Sequence, residues 1–191
     1  MIDLHSHILP QMDDGSRSVD ESLQMLAALA AQGVTDVAAT PHFYASENSP
    51  ERFRARRRHA WQRLAPHLTA SLPAVHLGAE VLFFEGIAGY DKLTQLCLTG
   101  TDTLLLEMPF RPWSRRMYDE LRELTARRDV TVLLAHMERL PEEVFLAHLS
   151  QENNLPSLAL QTVRGILDAN EVGPDTKIYI TSQENIVKNY D

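Results

Sequence analysis

The sequence predicts an α/β domain built on a largely parallel sheet, either open or closed as a barrel. Three observations carry this. Five short apolar segments are separated by helix-length connections, and parallel pairing needs such crossovers. Helix-start and helix-stop chemistry punctuates the connections. Each apolar segment also finishes on an imidazole or a carboxylate, and apolar strands have no packing reason to end that way repeatedly.

The first strand reads from Ile2 through Leu4 toward Ile8-Leu9, an apolar pattern expected to be buried. Asp13-Asp14-Gly15 is turn chemistry. Ser18 with Glu21 forms a capping box, and the helix behind it carries Leu23, Leu26, Ala27, Ala30 and Ala31 up to Gly33. Residues 34–40 read as a second buried strand, stopped by Pro41. Residues 50–67 form an arginine-rich helix, and its run Arg52, Arg54, Arg56, Arg57 and Arg58 reads as a solvated face able to steer an anionic substrate. Residues 74–80 and 103–107 are the third and fourth strands, 112–128 a helix, and 130–135 the fifth strand. Beyond Leu140 only 177–180 reads as a strand, and the remainder reads as helix and loop.

The chain of 191 residues suffices for one domain, taken here as 1–191 with an atypical segment from about 141. Its net charge of −8 argues against a nucleic-acid or anionic-membrane binder. There is no apolar run of membrane-spanning length, and Met1 leads directly into a strand, so the expectation is a cytoplasmic protein without membrane insertion. The single cysteine, Cys97, fits a reducing compartment, and its apolar flanks Leu96 and Leu98 suit packing better than nucleophilic chemistry. No Cys-x5-Arg loop follows it, which excludes a cysteinyl-phosphate route.

Successive strand side chains alternate, so His5 and His7 project from the same face. The other strand ends supply His42, Glu80, Glu107 and His136. In parallel α/β architectures the C-terminal strand ends form the active-site face. The layout gathers four histidines and two glutamates at one rim, a set suited to zinc, manganese or iron. The alternative is a series of satisfied polar strand ends. His59 and His67 read as surface residues, His76 as packed or outward-facing, and His148 as lying outside the pattern. Arg139 follows His136 by three residues and suits bidentate phosphate binding, or is an ordinary loop arginine. Arg111, Arg115 and Arg116 would add positive potential to the same rim.

Met1-Ile-Asp-Leu-His-Ser-His, the Asp-Asp-Gly-Ser turn, Thr40-Pro41-His42, Gly78-Ala79-Glu80, Leu106-Glu107 and Ala-His136-Met-Glu-Arg139 occur in one order. Together they resemble the polymerase-and-histidinol-phosphatase (PHP) superfamily. More closely, they resemble the manganese-dependent protein-tyrosine phosphatases of bacterial capsule and exopolysaccharide systems. The resemblance implies a distorted (β/α)7 barrel with a trinuclear centre of Mn2+, with Zn2+ or Fe as alternatives. It implies that His5, His7, His42, Glu80, Glu107 and His136 are metal ligands. It assigns Arg139 to phosphate binding, and Arg139 and His42 to catalysis. The implied substrate is the phosphotyrosine tail of a polysaccharide-export tyrosine kinase. A small-metabolite phosphoesterase of the histidinol-phosphatase kind and a catalytically impaired binding module are the alternatives.

One departure stands out. The family's later Ser-Asp-x-His-Asn segment and the strand ending in an Asn-Ser-Ser type motif are not found here, and Asp168 and Asp175 lack the expected context. The segment 180–189 distantly resembles the family's C-terminal helix. The expected barrel is therefore incomplete or open after the fifth strand, through internal loss or replacement. Its centre would bind metal more weakly.

Overall fold

The computed structural model describes residues 1–136, the strand backbones at 143–146, 177–180 and 188–190, and residue 164. The chain divides into two compact units, one of Met1–Pro109 with Ser114–Ala135, the other of Phe110–Trp113 with His136–Asp191.

The first unit contains seven strands and three helices in chain order: β1 (Ile2–Ser6), α1 (Val19–Ala31), β2 (Asp36–Ala39), β3 (His42–Phe43), α2 (Pro50–Leu64), β4 (Ala74–Leu77), β5 (Glu80–Leu82), β6 (Thr103–Glu107), α3 (Arg115–Thr125) and β7 (Thr131–Leu134). All pairings within it are parallel, in the orders β1-β2-β4 and β3-β5-β6-β7. These two sheets are one array with two breaks. Ala39 pairs with Leu77 and His42 with Glu80, so the register of β2 on β4 continues as that of β3 on β5. Hydrogen bonds bridge the breaks, from Gly78 N–H to the Ala39 carbonyl at 2.8 Å and from Glu80 N–H to the Pro41 carbonyl at 3.1 Å. The second sequence-predicted strand ends before Pro41, as expected where a residue lacks a ladder donor, and a further short strand, β3, follows it. The third gives way to two short strands, β4 and β5.

The helices form for local reasons. Ser18 Oγ accepts the Glu21 N–H at 3.1 Å and caps α1. Glu21 reaches back to the Arg17 N–H at 2.7 Å, one residue before the cap of the expected box. Gly33 takes φ of +82° just beyond the helix end, a conformation open to glycine. Ser49 caps α2, Pro50 opens it, and a 3-10 turn Ala65–His67 completes the predicted span. Leu26 of α1, Phe53 and Leu64 of α2, and Leu124 of α3 are wholly buried. Each such side chain contributes about 1.5–3 kcal/mol by leaving water. The first strand is an exception to its predicted burial: among the described residues β1 is an edge, with Ile2 62% and Leu4 47% exposed, while Ile8 and Leu9 beyond it are in the core.

The second unit holds β8 (Glu143–Leu146), β9 (Lys177–Ile180) and β10 (Lys188–Tyr190). β8 pairs parallel and β10 antiparallel with β9. The strand at 177–180 agrees with the sequence reading. β8 and β10 correct it, because a lone short apolar or mixed segment declares itself a strand only through its partner. Among the described residues, no helix is long and apolar enough to cross a membrane.

Candidate metal centre

The parallel ladder brings the strand ends together. His42 and Glu80 are direct register partners, and Glu107 lies opposite Leu82, two residues further along β5. Residues at i and i+2 share a sheet face, so Glu107 projects from the same face as Glu80 and His42. β1 brings His5, and His7 one residue past its end, to the same place.

Glu80, wholly buried, is the hub. Its Oε2 lies 3.1 Å from His5 Nε2, 3.2 Å from His7 Nε2 and 3.0 Å from His42 Nδ1. His5 Nε2 and His7 Nε2 are themselves 3.2 Å apart. His42 Nδ1 is 3.8 Å from Glu107 Oε2, and His42 Nε2 is 3.6 Å from Asp14 Oδ1. Three overlapping donor groups result: His5, His7 and Glu80; His7, Asp14 and His42; and His42, Glu80 and Glu107. Within each group the donor atoms lie inside 4.8 Å of one another.

This donor set fits divalent metal ions. Ligand atoms each about 2.1 Å from one ion, and about 90–110° apart around it, are separated by roughly 3.0–3.4 Å. His42 Nδ1 and Glu80 Oε2 are 3.0 Å apart, a separation at which a nitrogen and a carboxylate oxygen can share one cation. The His5 and His7 Nε2 atoms, 3.2 Å apart, stand at the same kind of separation.

Asp13 orients the ligands from behind. Its Oδ2 is 2.7 Å from His7 Nδ1 and accepts the His42 backbone N–H at 2.9 Å, while its Oδ1 accepts the Gly15 N–H at 3.1 Å. A carboxylate on the far ring nitrogen directs the other nitrogen toward a metal. Without an ion, protons stand in. Burial pushes the His7 imidazolium down, but Asp13 and Glu80 outweigh it and raise its pKa to about 10. Glu80 hydrogen bonding raises His42. Burial works against ionised Glu80, yet the three imidazoles hold it well below the usual carboxylate range. Tyr44 stacks on His42 at 5.4 Å and 17°, and burial followed by the Glu107 and Asp14 charges pushes its phenol up.

Five of the six residues expected as ligands, His5, His7, His42, Glu80 and Glu107, are therefore clustered. His136 follows β7 and Ala135 with a left-handed backbone, φ of +53°, and belongs to the second unit. Arg139 lies outside the described residues, as does His148. Asp14 is an added donor that the sequence offered only as turn chemistry; its signal was a carboxylate pair just behind His-x-His. His76 faces outward and pairs with Asp36 at 3.0 Å. Arg116 is committed to Glu85 at 3.0 Å and Glu120 at 3.4 Å, which removes it as a source of positive potential. Cys97 is buried and its thiol is pushed up to about 11 by that burial, as expected for a packing residue.

The arginine-rich helix needs correction. Arg52, Arg54, Arg56 and Arg58 are exposed, but Arg57 is only 6% exposed and donates to the Gly78 carbonyl.

A family model for capsular polysaccharide synthesis, CpsB/CapC, matches residues 1–155. The tyrosine-protein phosphatase YwqE of Bacillus subtilis is 30% identical over 175 residues, covering 87% of this chain and 67% of that protein. The tyrosine-protein phosphatase CpsB of Streptococcus pneumoniae is 28% identical, covering 73% of this chain and 57% of that protein. Among solved structures, those of YwqE and CpsB are described as unique metal-dependent tyrosine phosphatases, and one superposes with a TM-score of 0.59 at 29% identity. That match covers 73% of this chain and 56% of the solved one, so the chain spans little more than half the length of some of these relatives. With a family model matched over most of its length and a mixed α/β fold of parallel strands in common with YwqE and CpsB, the chain belongs to the CpsB/CapC family.

Proposed function

We propose that this chain is a metal-dependent tyrosine phosphatase, a phosphoric monoester hydrolase acting on phosphotyrosine in proteins. The observation that carries the reading is the convergence of His5, His7 and His42 on the buried Glu80 carboxylate, flanked by Glu107 and Asp14. Relatives named tyrosine-protein phosphatases share the family.

His5, His7, Glu80, His42, Asp14 and Glu107 would hold the metal, with His136 as a further ligand. Manganese is the ion proposed, because a set of imidazoles and several carboxylates suits it. When bound, such ions supply Lewis acidity that activates water and neutralises phosphoryl charge. The chain's own part is positional. Glu80 holds three imidazoles at one point, and Asp13 fixes the His7 ring and the His42 backbone. His42 presents both ring nitrogens to carboxylates, Nδ1 to Glu80 and Nε2 to Asp14, which suits its double role as ligand and catalytic residue. Arg139 is assigned to the non-bridging phosphate oxygens.

The substrate proposed is the phosphotyrosine tail of a bacterial polysaccharide-export kinase, met in the cytoplasm. The five parallel staves are proposed as the first five of a distorted (β/α)7 barrel. The test is hydrolysis of a phosphotyrosine peptide with added manganese, in wild type, Glu80→Gln and His136→Ala. Manganese-dependent turnover that falls at least ~100-fold in Glu80→Gln supports the assignment. Manganese-independent turnover unchanged in both variants sinks it.

A further inference from the structure

The buried stripe of α2 is Phe53, Arg57, Ala60 and Leu64. These positions follow helical periodicity, and Arg57 occupies one where an aliphatic side chain would pack. Its guanidinium lies 5.5 Å from the Phe53 ring centroid and donates to the Gly78 carbonyl. Among the described residues no carboxylate pairs with it. Burial, with a smaller contribution from Arg54, lowers its pKa to about 10. A buried cation with no counter-ion is costly, and well-packed apolar replacements are often as stable or more so. Packing therefore does not explain the arginine.

Its acceptor does. Gly78 sits in the break between β4 and β5, two residues before Glu80. At this break a carbonyl turns out of the strand ladder, and an unpaired buried carbonyl costs about 1–3 kcal/mol. Arg57 supplies the donor and ties the approach to Glu80 onto α2.

The same helix holds the other side of the centre. Arg56 Nη2 donates to the Met12 carbonyl at 2.9 Å, and Arg63 Nη1 to Gln11 Oε1 at 2.7 Å. These two arginines are seven residues apart, about two turns, and so share a face. They grip the loop that carries Asp13 and Asp14, where Gln11 adopts a left-handed φ of +60°. Such a backbone persists when its surroundings over-determine it.

We propose that α2 is a clamp across the metal centre, with Arg56 and Arg57 as positioning residues. Arg56 holds the Asp13–Asp14 loop and Arg57 holds the break leading to Glu80, and together they set the spacing of the ligands and hence the metal affinity. The proposal rests on the metal-centre reading above.

The experiment is calorimetric titration of the full chain with manganese, alongside thermal unfolding of the metal-free chain. The variants are Arg56→Met, Arg57→Met and Arg57→Lys. The expected result is a manganese dissociation constant raised ~3-fold in Arg56→Met and ~10-fold or more in Arg57→Met, in the range of changes behind metal ligands. The metal-free melting temperature of Arg56→Met stays within about 3 °C of wild type, and Arg57→Lys recovers part of the affinity lost in Arg57→Met. If Arg57→Met fails to fold, Arg56→Met and Arg57→Lys carry the comparison. Folded variants that all bind manganese within twofold of wild type overturn the clamp and leave the metal centre standing. A wild-type chain that binds no manganese overturns the metal-centre reading and the clamp with it.

Discussion

His7 and Asp13 are joined by a 2.7 Å contact between Nδ1 and Oδ2, and that same carboxylate oxygen accepts the His42 backbone N–H at 2.9 Å. One side chain thus sets the orientation of one ligand and the main-chain position of another. Asp13→Asn keeps the shape but replaces a charged acceptor with a neutral amide. Manganese affinity is expected to fall about 10–100-fold, the usual effect of losing such a partner. Titration calorimetry measures it, and an unchanged affinity refutes the role.

Gly15 carries a steric prediction. A Cβ there would sit 2.3 Å from the His7 carbonyl oxygen and 2.4 Å from His7 Cβ. Neither can yield without moving His7 itself. Gly15→Ala is therefore expected to destabilise the chain by about 1–3 kcal/mol, in the range of overpacking. It should weaken metal binding at the same time. Chemical unfolding and metal titration on the same variant check both, and an alanine tolerated in both measurements contradicts the packing described here.

Metal should also stabilise the fold. An ion that binds only the folded state adds RT ln(1 + [L]/Kd), about 2.7 kcal/mol at one hundred times Kd. For a chain of this size that corresponds to a rise in melting temperature of roughly 5–10 °C. Thermal melts with manganese against a chelator read it directly. Coincident melts would count against the centre.

Cys97 provides a pH-dependent prediction away from the site. Its thiol is pushed up to about 11, first by burial and then by the Asp102 and Asp129 charges. At pH 8 the folded thiolate fraction is on the order of one in a thousand. Aromatic disulfide reagents should label the folded chain far more slowly than the unfolded one. The sign for stability follows. The unfolded thiol ionises near ~8.5, so this contribution is intact below that pH. It declines as pH rises from there toward about 11. Cys97→Ser should leave phosphatase turnover unchanged, and a large loss would reinstate a chemical role for the thiol.

The parallel α/β class and five of the proposed ligands were legible because both are written in short-range patterns. His5 and His7 follow from strand alternation, and His42, Glu80 and Glu107 each mark the end of an apolar run. A helix start was readable where the cap is side-chain chemistry, as at Ser18. Asp13 and Asp14 were read as turn residues because a turn and a ligand-orienting loop use the same side chains. Arg57 was read with its exposed neighbours, since burial of one arginine in a run depends on what the helix packs against.

The sequence by itself determined the order of strands and helices and which residue types stand at the strand ends. Local periodicity, caps and turns act over a few residues and need no partner to be recognised. Only the tertiary structure decided that pairing resumes in register beyond Pro41 and beyond Gly78-Ala79, that the Ile2 and Leu4 side chains of β1 are exposed, and that Glu80 receives three imidazoles at 3.0–3.2 Å. Those outcomes depend on neighbours distant in the chain. They arise from competition for burial and for backbone hydrogen bonds, which is settled only when the whole sheet is assembled.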